Sequence, residues 1–128
     1  MINLKRVYEP PKRDDGTKFL VERLWPRGVK KSSLGDAVWL KDIAPSTELR
    51  QWFGHDPKKW VEFQRRYRFE LKHHEEDLEP ILQAARRGTV TLLHSSHDTE
   101  HNNAVVLMDY LEGELRSHRE SPGGKSAA

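Results

Sequence analysis

Apolar residues recur along this chain with two different periods. Ile2 to Tyr8 alternates imperfectly and runs into Glu9-Pro10-Pro11-Lys12-Arg13-Asp14-Asp15-Gly16, whose prolines and Asp-Gly step mark a loop. Lys18 to Leu24 is densely apolar, too short for an ordinary helix and halted by Pro26, so it reads as a buried strand. Ala37-Val38-Trp39-Leu40 repeats that pattern more briefly, and Thr89 to Leu93 repeats it with better strand formers. Four strands are predicted. Between the last two, the period lengthens to that of a helix. Ser46 offers an N-cap hydroxyl, Leu49, Trp52 and Phe53 form a stripe, and Gly54 ends it. Asp56-Pro57 starts a second helix with Trp60, Phe63, Tyr67 and Leu71 on one face. The charged stretch around His73 to Glu76 separates it from a third, carried by Leu78, Ile81, Leu82 and Ala85 and closed by Gly88, with Pro80 expected in its first turn. A last helix, capped by Asp98 or Thr99, buries Ala104, Leu107, Met108, Leu111 and Leu115.

Strands separated by helices, with the last strand passing directly into a helix, predict the α/β class: one layered domain with a small, at least partly parallel sheet flanked by helices. The domain is expected to span residues 1–116. Ser117 to Ala128 is polar, with a Pro-Gly-Gly step and small residues, and reads as a disordered C-terminal tail.

Composition narrows the class further. A chain of 128 residues buries roughly two-thirds of its unfolded surface, enough to fold without disulfides or a structural metal. Cysteine is absent, which removes thiolate nucleophiles and cysteine-based metal sites. No apolar run approaches the ~20 residues of a membrane span, and Met1-Ile2-Asn3-Leu4-Lys5-Arg6 has no secretory pattern, so a cytoplasmic protein is expected. Twenty-two Lys and Arg against 20 Asp and Glu are too balanced for a strong electrostatic argument about nucleic acid.

Two loops concentrate the polar chemistry. Arg23-Leu24-Trp25-Pro26-Arg27-Gly28 places two guanidiniums around a turn at the end of the second strand, and the arginine fork suits a planar carboxylate or phosphate. The competing reading pairs Arg23 with an internal carboxylate such as Glu22 or Asp42 and leaves Trp25 in the core. The second loop, His94 to Asn103, follows the last strand and precedes a helix N-terminus, a position that suits an anion. There Ser95, Asp98 and His101 are candidate catalytic residues, the first as hydroxyl donor and the others as an oriented acid-base pair. The alternative is that Ser96, Asp98 and Thr99 only cap the helix. Candidate ligand-binding residues are Arg23, Arg27, Lys41, Arg50, Ser96, Asn102 and Asn103. The spacing of His94, His97 and His101 matches no strong metal motif, and neither a Gly-rich phosphate loop nor a Gly-x-Ser-x-Gly elbow is present. No metal or cofactor is expected. The favoured partner is an anionic or phosphorylated small molecule, with or without catalysis. The alternatives are a nucleic-acid-binding face formed by Arg65, Phe69 and Lys72, and an oligomeric scaffold without chemistry.

Several segments carry a resemblance. Val21-Glu22-Arg23-Leu24-Trp25-Pro26-Arg27-Gly28, Trp39-Leu40-Lys41-Asp42-Ile43-Ala44-Pro45-Ser46 and Leu49-Arg50-Gln51-Trp52-Phe53-Gly54-His55-Asp56 resemble signature segments of the YeaO-like branch of the bacterial family called domain of unknown function 488. Thr91-Leu92-Leu93 and His101 to Leu107 extend the likeness over nearly residues 2 to 113. The resemblance implies a compact bacterial cytoplasmic α/β protein and brings no catalytic residues with it. Other branches place a cysteine at the end of the last strand and a Cys-His-Arg step further on. Here His94-Ser95-Ser96 and His101-Asn102-Asn103 stand in those places, so the thiol chemistry of those branches does not carry over.

Overall fold

A computed structural model describes residues 1–120 of the chain, residues 118–120 as backbone. Its strands are β1 (Ile2–Arg6), β2 (Thr17–Leu20), β3 (Val38–Trp39) and β4 (Val90–His94), and its helices are α1 (Thr47–Phe53), α2 (Trp60–Leu71), α3 (Glu75–Arg87) and α4 (Asn103–Glu120). The strands form one sheet in the order β1-β4-β2-β3, with every pairing parallel. Ile2 stands opposite Val90, Thr17 also opposite Val90, and Phe19 opposite Val38. Among the described residues no helix is long and apolar enough to cross a membrane.

Strand alternation sends side chains to two faces. Ile2, Phe19, Val21, Val90 and Leu92 join a large core with Leu49 and Phe53 of α1, Phe63 and Tyr67 of α2, Leu78 and Ile81 of α3, and Leu107 and Leu111 of α4. All four helices therefore flank the same face. The opposite face carries a smaller cluster, Val7, Leu20, Leu34 and Leu93, overlaid by Trp25, Val29 and Ala37 from the segment between β2 and β3. Beside it the buried Lys5 ammonium meets Asp15 at 2.8 Å and the Pro10 carbonyl at 2.7 Å. Two features close this end of the sheet. The Thr91 hydroxyl donates to the Asp15 carbonyl at 2.7 Å, and Gly16 turns with φ of 69° against Thr89.

Several boundaries differ from the sequence pattern. β2 ends at Leu20, and Leu24, counted among its buried residues, is 62% exposed. Val21 still donates its N–H to Leu93 at 3.1 Å, after which the chain leaves the sheet. Asp56 caps a short 3-10 turn, Pro57–Lys59, and the α-helix proper starts at Trp60. Pro80 is the sixth residue of α3, past the first turn, where its missing N–H leaves the Glu76 carbonyl on an exposed face of the helix. The cap of α4 is neither Asp98 nor Thr99. The helix begins at Asn103, and the Asn102 side-chain oxygen accepts the Val105 N–H at 3.1 Å. α4 continues to Glu120, so positions 117–120, expected in the tail, are helical. The rest of that expected tail, 121–128, lies outside the described residues.

Candidate functional site

Because β2 and β4 are adjacent and parallel, the loops after them emerge on the same edge of the sheet. A cleft of about 750 Å³ opens there. One wall is Glu22 and Arg23 after β2, another is Ser95 to Asp98 after β4 with His101, Asn102 and Asn103 leading into α4. Ala44 and Pro45, then Arg50, Gln51, Phe53 and His55 in and beyond α1, complete the lining with Phe63. Of the residues singled out from sequence, the cleft brings together Arg23, Arg50, Ser95, Ser96, Asp98, His101, Asn102 and Asn103. Arg27 and Lys41 do not line it. Both are exposed: the Arg27 carbonyl accepts the Tyr8 hydroxyl at 3.1 Å, and the Lys41 ammonium lies 5.3 Å from the Trp39 ring centre.

The wall after β2 is held by side chains pointing back onto backbone. The Trp39 indole donates to the Glu22 carbonyl at 2.6 Å, and the Trp25 indole, packed edge-on against Trp39, donates to Val29 at 2.6 Å. Arg23 makes no pair with Glu22 or Asp42. Its Nε donates to the Pro45 carbonyl and its Nη2 to the Ala44 carbonyl, each at 2.9 Å. The preceding carbonyl, Ile43, accepts the Tyr67 hydroxyl at 2.7 Å. Two side chains thus hold three consecutive carbonyls of the segment that leads into α1. Tyr67 is fully buried, which pushes its phenol well above the ordinary value, so it serves as a fixed neutral donor.

The loop after β4 is likewise spent largely on itself. His94 is buried at the strand end, and its Nδ1 accepts the Ser96 N–H at 3.2 Å. Burial, reinforced by the Arg6 charge, lowers its pKa and keeps the ring neutral. The Asp98 carboxylate accepts the N–H groups of Glu100 and His101, both at 3.0 Å, and the His101 Nδ1 lies 3.1 Å from Oδ2. The Glu100 N–H, ahead of the N–H and ring of His101, holds Asp98 below the usual carboxylate range. The His101 ring also stands edge-on to Trp60 at 5.1 Å, so the pair is oriented from two sides. Ser96 Oγ bridges to the Asp98 backbone, Asn102 donates to the Asp98 carbonyl at 2.8 Å, and Asn103 reaches across to the Val21 carbonyl at 2.7 Å. Ser95 donates to Glu22 Oε1 at 3.0 Å, and among the described residues no hydrogen bond joins Ser95 to His101.

Among the cleft residues that sequence reasoning missed as site residues, His55 included, Glu22 is the carboxylate. Burial raises its pKa, while the Ser95 hydroxyl, the Ser95 N–H and the charges of Arg50 and His55 act in the opposite sense. Its signal in the sequence was position alone: a carboxylate next to Arg23, just past an apolar strand. The Arg50 guanidinium makes no hydrogen bond or ion pair among the described residues and is the exposed cation of the lining. Those residues place no group of three or more histidine or carboxylate side chains where a metal ion could be held. On α2, Arg65 and Arg66 both bind Glu62, at 2.6 and 2.9 Å, so of the expected nucleic-acid face around the 63%-exposed Phe69, Arg65 is already paired while Lys72, just past the helix, is exposed and makes no ion pair among the described residues.

Comparison with known proteins agrees with the resemblance carried by the signature segments. The chain is 43% identical over 110 residues to the uncharacterized protein YeaO of Escherichia coli K12, covering 86% of this chain and 96% of that one. It is 38% identical over 112 residues to uncharacterized proteins of Mycobacterium bovis and Mycobacterium tuberculosis, covering 88% of this chain and 94% of each. No solved structure matches. Residues 1–128 match the family described as the inactive DUF488-N3 subclade. With both the fold and the sequence in view, the chain belongs to the DUF488 family, in that subclade.

Proposed function

We propose that the cleft at the carboxyl edge of the sheet binds a small anionic or phosphorylated molecule in a cytoplasmic setting. The observation that carries this reading is the convergence of two strand-end loops and the start of an 18-residue helix on one cleft that contains the unengaged guanidinium of Arg50. Crevices beyond the carboxyl ends of parallel strands are where open α/β sheets take ligands, and a helix N-terminus favours negative charge. A volume of about 750 Å³ falls within the roughly 300–1,000 Å³ of small-molecule sites. Arg50 supplies charge, His55 and His101 add ring nitrogens, and Arg23 fixes the floor with Nη1 left over for a ligand. Binding is favoured over catalysis, because Ser95 is committed to Glu22 and the subclade is described as inactive.

Inorganic phosphate tests the reading by thermal shift. Ligand at about 100 times its dissociation constant stabilises the native state by about 2.7 kcal/mol, which for a chain of this length raises Tm by about 10 °C. Arg50→Ala should keep the unliganded Tm and lose most of that increment. A wild-type Tm that does not move with phosphate, or an Arg50→Ala protein that responds like wild type, overturns the proposal.

A further inference from the structure

Within that anion-binding reading, we propose that Glu22 makes the cleft selective for a zwitterion: a short molecule with an ammonium group beside its anionic group. Glu22 is a partly buried carboxyl that lines the cleft without an ion-pair partner among the described residues. Its neutral donors come from one residue: Oε1 accepts the Ser95 hydroxyl at 3.0 Å, the Ser95 N–H also favours the ionised carboxylate, and among the described residues no side-chain donor reaches Oε2. Arg50 and His55 are near enough for their charges to act on it yet form no pair with it, so the cleft contains separated positive and negative groups. A bare anion entering this space meets Arg50 but is repelled by Glu22. A zwitterion satisfies both: its anionic end meets Arg50, and its ammonium supplies the cationic donor that the partly buried carboxyl lacks. Desolvation raises the Glu22 pKa, and an ammonium at hydrogen-bonding distance reverses that shift by stabilising the ionised form. Pro45 and Phe53 line the same space and suit a short hydrocarbon spacer.

The experiment compares phosphoethanolamine with n-propyl phosphate, which has a methyl group in place of the ammonium, and with inorganic phosphate, by calorimetric titration. Wild type should bind phosphoethanolamine about tenfold or more tighter than n-propyl phosphate, the range of one charge-assisted hydrogen bond. Glu22→Gln retains an oxygen for Ser95 and removes the charge. In that variant the preference should fall to within about twofold, and inorganic phosphate should bind more tightly than to wild type because a like charge has gone. Equal affinities of wild type for the two esters, or a preference unchanged in Glu22→Gln, overturns the assignment, and the wild-type comparison alone decides if the variant does not fold. Binding of phosphate and both esters without preference sinks only the role of Glu22. Failure of wild type to bind all three sinks the anion site as well.

Discussion

Replacing Arg23 separates a residue that builds the cleft from one that merely faces it. Arg23→Ala removes two 2.9 Å hydrogen bonds from a guanidinium to the carbonyls of Ala44 and Pro45, residues that are themselves buried. A hydrogen bond from a charged donor contributes about 1.5–3 kcal/mol net. Arg23 is half-buried and water can enter from the cleft, so each bond contributes about 1–1.5 kcal/mol, at or just below that lower end, for a combined cost of about 2–3 kcal/mol. At about 2.1 cal/mol/K per residue, the unfolding entropy of this chain is about 270 cal/mol/K, so Tm should fall by about 7–11 °C. Scanning calorimetry without ligand reads this directly. Arg23→Lys keeps the charge but cannot reach both carbonyls with the geometry of the fork, and should recover less than half of the loss. Tyr67→Phe frees the neighbouring Ile43 carbonyl, and the double variant should depart from additivity because all three acceptors lie on one segment. An Arg23→Ala protein within about 2 °C of wild type, or an Arg23→Lys protein restored completely, would refute the argument and return Arg23 to the role of a free anion ligand.

Two further comparisons probe the opposite edge of the sheet, the second with Gly28, after β2, as its control. Asp15 is held below its ordinary pKa chiefly by the Lys5 hydrogen bond and then by the Lys12 N–H, so its contribution is complete above the unfolded value of about 3.9 and is lost as pH falls through the lower folded value. Asp15→Asn should therefore flatten the acid limb of urea-measured stability and, by leaving the buried Lys5 ammonium without its countercharge, cost about 3 kcal/mol near neutral pH; an unchanged acid limb would contradict this. Gly16→Ala and Gly28→Ala both place a side chain at positive φ, but the added Cβ at Gly16 would sit 2.1 Å from the Thr89 carbonyl oxygen while that at Gly28 meets nothing within 4 Å. Gly28→Ala should cost about 1 kcal/mol and Gly16→Ala several times more, and equal Tm losses would rule out the close approach as the reason for Gly16.

The sequence pattern was most informative where local chemistry determines local structure. Ser46 accepts the Leu49 N–H at 3.1 Å as its N-cap position predicted, and Gly54 adopts the left-handed conformation that ends α1. The gap expected between His73 and Glu76 lies between Leu71 and Glu75. Boundaries set by neighbours distant in sequence were less legible. Leu24 has the composition of a strand residue but lies where β2 has already lost its partners. The polar loop after β4 contains several residues able to cap a helix, and Asn102 takes the role because Asp98 is engaged two and three residues on by the Glu100 and His101 N–H groups. In the site, the apposition of Arg23 with Asp98 and His101 was legible as a consequence of parallel strands. The partners of Arg23 were not, since backbone carbonyls leave no mark in the identities of Ala44 and Pro45.

The strand order also determines when the chain can fold during its own synthesis. β1 and β2 emerge first from the ribosome but share no ladder; each pairs with β4, which is made some seventy to ninety residues later and inserts between them. Until Val90 to His94 has left the exit tunnel, the only sheet pairing available is the short one between β2 and β3, and Ile2 and Phe19 have no strand to bring them onto a common surface. Loop closure over so long a stretch must come before those contacts reward it. The segment up to α3 is thus a waiting chain, and the native order of the sheet appears only once β4 is available to join β1 to β2.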